Sequence, residues 1–102
     1  MRPTIELSFA GEIIEWRGPA PFHFVRVPED EAGLISDVKA ALTYGWGCIP
    51  VTARIGRTDY TTSLFPKDGG YLVPVKDVVR KAEQLALGDD VTVRLTLDMS
   101  KA

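Results

Sequence analysis

The sequence predicts a mainly β domain, α+β by content, built as a small barrel-like sheet of six or seven strands with two covering helices. Short runs in which apolar and polar residues alternate predict the strands. Turn clusters of glycine, aspartate and proline fall at hairpin spacing between them. In two stretches the apolar period changes from two to that of a helix. Two helical stripes and short strands at hairpin spacing suggest a small barrel-like sheet covered by helices.

Ile5, Leu7 and Phe9 alternate with Glu6 and Ser8, as in a half-buried strand. Gly11 marks a bulge or bend, and "EIIEW" continues the extended run to Trp16. "RGPAP" is a turn, because its two prolines cannot donate to a ladder. "FHFVRVP" is a strand rich in aromatic and β-branched residues, stopped by Pro28. A helix over about 29–44 follows, with Leu34, Ile35, Val38, Ala41 and Leu42 on one stripe. Glu29, Asp30 and Glu31 stand at its start, where negative charge suits the helix dipole, and Gly45 and Gly47 end it.

"CIPVTARIG" places Ile49, Val51, Ala53 and Ile55 on one face of a strand. "RTD" turns the chain and "YTTSLF" returns it as a hairpin. "KDGG" is a second turn, before the short strand "YLV". Pro74 suits the first position of a helix over about 74–86, where its missing N–H costs nothing. Val75, Val78, Val79, Ala82 and Leu85 form its apolar stripe, and Gly88 suits its C-terminal cap. "VTVRLTL" is the closing strand, with Val91, Val93, Leu95 and Leu97 inward, and "DMSKA" a tail. No internal repeat or linker is visible, so residues 1–102 are expected to form one domain.

A chain of 102 residues, 45% of them hydrophobic, buries roughly 60–70% of its unfolded surface, enough for one modest core. No apolar run reaches the roughly 20 residues that span a bilayer. Glu6 and Glu12 interrupt the N-terminal apolar stretch, so it does not resemble a signal peptide, and a cytoplasmic location without membrane contact is expected. Cys48 is the only cysteine, which excludes an internal disulfide. The net charge of −2 argues against a nucleic-acid partner. The charge is unevenly spread: residues 54–81 carry six basic and three acidic side chains, whereas acidic residues predominate on both sides. Such a basic middle can form an anion-attracting face.

"YGWGCIPVTARIG", "TTSLFP", "GGYLVPVKDVVRKAE" and "LALGDDVTVRL", preceded by "FHFVRVP", stand in an order and at spacings that closely resemble the bacterial domain of unknown function 1905 family. The resemblance covers roughly residues 5–98. It implies a small split β-barrel with two helices, similar to the folds of AbrB-like proteins. Some members carry a further domain resembling bacteriocin-protection proteins. The family offers no established catalytic or ligand-binding residues to carry over. The chain departs from its pattern at Asp59, where a small residue before the aromatic is expected, and at Gln84, where glycine is usual.

Catalytic and metal chemistries find little support. One histidine and one cysteine cannot supply the four nitrogen and sulfur ligands of structural zinc. Cys48 and His23 form a nucleophile–base pair only if the fold brings them together. "GWGCIP" has Pro50 at the third glycine position of a dinucleotide fingerprint and leads into a strand. "KDGG" lacks a phosphate-loop lysine, and the serine of "TTSL" lacks a nucleophile elbow. The "EDE" run suits a helix start better than paired catalytic carboxylates. No enzyme and no cofactor is therefore expected, and Trp16, Trp46, Tyr60 and Tyr71 are expected to fill the core.

What packing does not explain is Lys76 and Arg80, which share one helix face at i, i+4. Asp77 with Lys81 and Arg80 with Glu83 are pairs able to offset their repulsion. Lys76 and Arg80, with Ser63 and Arg54 as neighbours, make the candidate anion-binding site. The favoured function is a non-catalytic binding module for an anionic or amphipathic small molecule. A homodimeric or partner-binding adaptor is the alternative, and AbrB-like DNA binding is weaker because the net charge opposes it.

Overall fold

The computed structural model describes residues 4–16, 22–42 and 49–98, with the side chains of 16, 22 and 38–42 left aside. Six antiparallel strands close into a barrel in the order β1-β2-β5-β4-β3-β6. They are β1 (Thr4–Trp16), β2 (Phe22–Arg26), β3 (Ile49–Ile55), β4 (Thr58–Lys67), β5 (Gly70–Val75) and β6 (Asp90–Asp98). Helix α1 (Glu29–Leu42) joins β2 to β3, and α2 (Asp77–Glu83) joins β5 to β6. The chain thus runs strand, strand, helix, strand twice over. Exchanging β1-β2-α1-β3 with β4-β5-α2-β6 preserves the barrel's pairings: β1·β2 exchanges with β4·β5 and β3·β4 with β1·β6, while β2·β5 and β3·β6 are carried onto themselves. The repetition lies in the topology alone; the sequence shows none.

Turn chemistry sets the hairpins. Asp68 and Gly69 both have positive φ, 52° and 78°, and link Lys67 to its partner Gly70 in the two-residue turn that Asp-Gly favours. Gly56, at φ 60°, and Arg57 link Ile55 to Thr58, so this turn precedes the "RTD" stretch by one residue. β1 pairs with β6 up to Glu12 and, from Ile13, with β2, and Gly11 stands just before this change. A Cβ at Gly11 would stand 2.6 Å from Cγ1 of Val25, so glycine lets the two strands approach where β1 changes neighbours.

The alternating residues of the strands fill the barrel. Leu7, Phe9 and Ile13 of β1 meet Ile49, Val51, Ala53 and Ile55 of β3 and Val91, Val93, Leu95 and Leu97 of β6 in one buried cluster. Tyr60 and Tyr71 are buried with them, as expected of core filler, while Trp46 lies outside the described residues. Phe24 and Leu72 have the opposite parity and yet are buried. They lie on the outer wall of β2 and β5, where the Phe24 ring meets Phe65 edge-on at 6.3 Å.

Both helices differ in detail from the stripes drawn on the sequence. In α1 the acidic first turn stands as expected, and Ile35 is buried. Leu34 is 52% exposed, and Ala32, one turn before Ile35, takes the inward place instead. Val38, Ala41 and Leu42 have side chains outside the description; Gly45, Gly47 and the "RGPAP" turn lie outside the described residues, as does the "DMSKA" tail except Asp98, which ends β6.

The second helix is shorter than the expected 74–86. Pro74 and Val75 belong to β5, opposite Phe24 and His23. Proline's fixed φ serves an extended strand as readily as a helix start, and Val73 and Val75 continue the inward alternation. Tyr60 donates its hydroxyl to the Pro74 carbonyl at 2.8 Å. Of the predicted stripe only Val79 is a buried residue of α2; Val78 is 67% exposed and Ala82 is exposed. The helix ends at Gln84, in the left-handed region at φ 54°. Gln84 N donates to Lys81 O and Leu85 N to Arg80 O, a Schellman closure, and Leu85 packs against the core. Gly88, at φ 86°, is instead the third residue of the turn Ala86–Asp89, pinned to β1 by Gly88 N to Ile13 O and Ile13 N to Asp89 O, each 2.9 Å.

Candidate functional site

The four residues singled out in the sequence lie on three elements. Lys76 is the N-cap of α2, exposed, with extended backbone and no side-chain cap. Its carbonyl accepts from Val79 N and Arg80 N, each at 3.0 Å. Arg80 is half-buried and paired to Asp77 at 3.0 Å, rather than to Glu83. At seven residues, α2 is too short to gather much dipole at its start. Ser63 lies on β4 opposite Pro50, whereas Arg54 lies on β3 opposite Asp59, four residues further along that strand.

Arg54 is joined by a residue that sequence reading passed over. On the outer face of the barrel, Arg54 of β3 stands directly opposite Arg94 of β6, and Arg94 directly opposite Ser8 of β1. Ser8, Arg54 and Arg94, with Thr92 and Gly56, line a hollow of about 190 Å³. Asp59 holds Arg54 Nη1 at 3.3 Å, and Arg54 Nε donates to Gly56 O at 3.3 Å. Arg94 has no hydrogen bond or ion pair with any described residue. Like charges placed directly across a sheet repel. Asp59 compensates one of the two, and no described residue compensates the other.

Glu83 fixes the edge of this hollow. Its Oε2 accepts from Thr58 Oγ1 at 2.6 Å and from Arg57 N at 3.3 Å, so the end of α2 clamps the β3–β4 turn. A Cβ at Gly56 would run into the Glu83 carboxylate, and glycine makes the clamp possible. The signal for Arg94 was present in part: Arg54 and Arg94 each alternate with inward residues, so both were readable as outward. That β3 and β6 are neighbours was not, because it depends on barrel closure.

His23 lies half-buried on β2, and Cys48 lies outside the described residues. Among the described residues no group of three histidine, cysteine, aspartate or glutamate side chains is placed to hold a metal. Nor is any helix among them long and apolar enough to cross a membrane.

Residues 9–95 match the family model described as Domain of unknown function (DUF1905). The chain belongs to the DUF1905 family. The match spans all six strands at least in part and both helices, and takes in Arg54, Arg94, Thr92 and Gly56; Ser8 falls just before it. No curated protein matches the chain. Within this DUF1905 domain, the two departures noted in the sequence have structural consequences. Asp59 supplies the counter-charge of Arg54, and Gln84 holds the left-handed cap of α2.

Proposed function

We propose that this DUF1905 domain is a non-catalytic binding module for a small anionic molecule, taken up on the outer wall of the barrel at Arg54 and Arg94. What supports this reading is the facing of two guanidinium-bearing residues in cross-strand register, one of them without a counter-charge among the described residues, beside the hydroxyl-bearing Ser8 and Thr92. Guanidinium groups bind phosphate and carboxylate in bidentate fashion. An anion between them replaces the mutual repulsion of the pair with two attractions. A hollow of about 190 Å³ suits one phosphoryl or carboxyl group with a short substituent.

The test is a titration of the full chain with inorganic phosphate, a phosphomonoester and a dicarboxylate, followed by backbone amide shifts at low salt. The expected result is saturable movement at Ser8, Arg54 and Arg94, weakened about ten-fold or more by Arg94→Gln, with no change of fold. No movement for any of the three probes, or movement indifferent to Arg94→Gln, overturns the reading. Native mass spectrometry of freshly purified protein bears on the alternative. A dimer carrying no small molecule favours the homodimeric interaction domain, for which the exposed Ile14 and Phe65 beside buried Phe24 and Leu72 on the outer wall are the supporting observation.

A further inference from the structure

A larger cleft, about 390 Å³, opens between the end of β2, the first turns of α1 and the β4–β5 turn. It shares no lining residue with the hollow at Arg54 and Arg94. Arg26 enters from β2, Glu29 and Ser36 from α1, and Asp68 from the turn. The guanidinium and the two carboxylates line one space, yet none of the three is paired with another or with any described residue. Opposite charges that line one cleft without meeting leave a gap that a ligand carrying both signs can bridge.

The glycines point the same way. Gly33 sits in the interior of α1, where glycine costs about 0.5–1 kcal/mol relative to alanine. Crowding does not require it: a Cβ at Gly33 meets nothing within 4 Å. Packing therefore does not call for this glycine, and its lack of a side chain leaves the α1 wall of the cleft bare. Gly69, which the β4–β5 turn requires for its positive φ, also has nothing within 4 Å of a Cβ and leaves the turn side bare. At Gly70 a Cβ would stand 3.3 Å from Arg26 Nη2, so the absence of a side chain gives the guanidinium its place at the cleft.

We infer that this cleft is a second binding site, for a small zwitterion of the α-amino-acid class. Its carboxylate meets Arg26, and its ammonium lies between Glu29 and Asp68 with the Ser36 hydroxyl in reach. The cleft is larger than the charged groups alone require, so the ligand's own side chain occupies the space bared by Gly33 and Gly69.

The test uses the isotope-labelled full chain and three free amino acids, L-leucine, L-glutamine and L-lysine, each compared with its N-acetyl and its amide derivative. At least one free amino acid is expected to move the Gly33, Gly69 and Gly70 amides saturably, and each derivative to bind about ten-fold or more weakly, since each lacks one charge. Gly33→Leu fills the cleft with a better helix former. It is expected to abolish binding while the melting temperature holds or rises, which separates a blocked site from a damaged fold. Absence of movement up to about 10 mM for all three amino acids overturns the proposal. So does equal binding of the derivatives, or binding that survives Gly33→Leu. Arg94→Gln separates this inference from the outer hollow: undiminished amino-acid binding is expected, and loss of it relocates the ligand and defeats the cleft proposal.

Discussion

Tyr60 and Gln84 show how single positions carry more than their identity suggests. Burial pushes the Tyr60 phenol above its ordinary pKa of 10.0, because the phenolate cannot be solvated there. A group whose folded pKa is raised in this way keeps its proton in the folded chain while the unfolded chain loses it. Stability is therefore full below about pH 10 and falls by about 1.4 kcal/mol per pH unit above it. Tyr60→Phe should remove this dependence and cost about 1–2 kcal/mol at neutral pH, as the Pro74 carbonyl loses its donor. Urea denaturation of both proteins at pH 7 and above pH 10 checks it; parallel losses in the two would show that Tyr60 is not the titrating group. Gln84 occupies a conformation costing a non-glycine residue about 1–2 kcal/mol. Gln84→Gly should raise stability by about 0.5–1 kcal/mol, the unfolded chain's added freedom taking back part of the gain. A lowered melting temperature would mean that the glutamine side chain contributes something its backbone does not reveal. Tyr60 as core filler was readable from the sequence. The left-handed cap was visible only as a departure from the family pattern.

Helix α2 is an element whose position depends on its ends. Val79 is its one buried residue, and a helix of two turns is marginal by itself. At one end the Glu83 clamp grips the β3–β4 turn; at the other the N-cap is Lys76, which offers no capping oxygen. Glu83→Ala should cost about 1–2 kcal/mol and raise hydrogen exchange across Asp77–Glu83 well before that of β3 and β6. Thr58→Val removes one of the two clamp bonds, so the double variant should lose less than the sum of the singles. Strict additivity would dissociate Thr58 from the clamp. The sequence mistook this helix for a longer one because Val75, Val78, Val79, Ala82 and Leu85 satisfy a helical period by spacing alone. Two of the five serve a strand and a post-helical turn, and two are exposed. Hairpin registers were far more legible, since Asp-Gly and glycine turns determine them locally.

For the molecule as a whole, closure is what the sequence left least determined. Alternation gave the inward face of β3 and β6 correctly, but not that the two strands are neighbours, nor that β1 spans both halves of the barrel. Both facts depend on contacts between residues far apart in the chain, which no local pattern encodes. The candidate site inherited that blindness: Arg54 was named and Arg94, its partner across β3 and β6, was not. Closure also protects the molecule, because among the described residues every strand is hydrogen-bonded to a neighbour on either side over part of its length, and none is an edge strand throughout.

The pairing of β1 with β6 runs in register from Thr4 opposite Asp98 to Glu12 opposite Asp90. Thr4 and Asp98, the ends of the first and last strands, therefore sit side by side. A short glycine-rich joint from Asp98 to Thr4 would leave the chain free to be cut elsewhere, and the exposed Asp68–Gly69 turn is the natural place. Such a circular permutant should keep the native amide spectrum and lose only a modest part of its stability. Because the cut lies on the wall of the larger cleft, it should also weaken amino-acid binding there while sparing anion binding at Arg94. One rearranged chain would then report on fold, cleft and outer hollow independently.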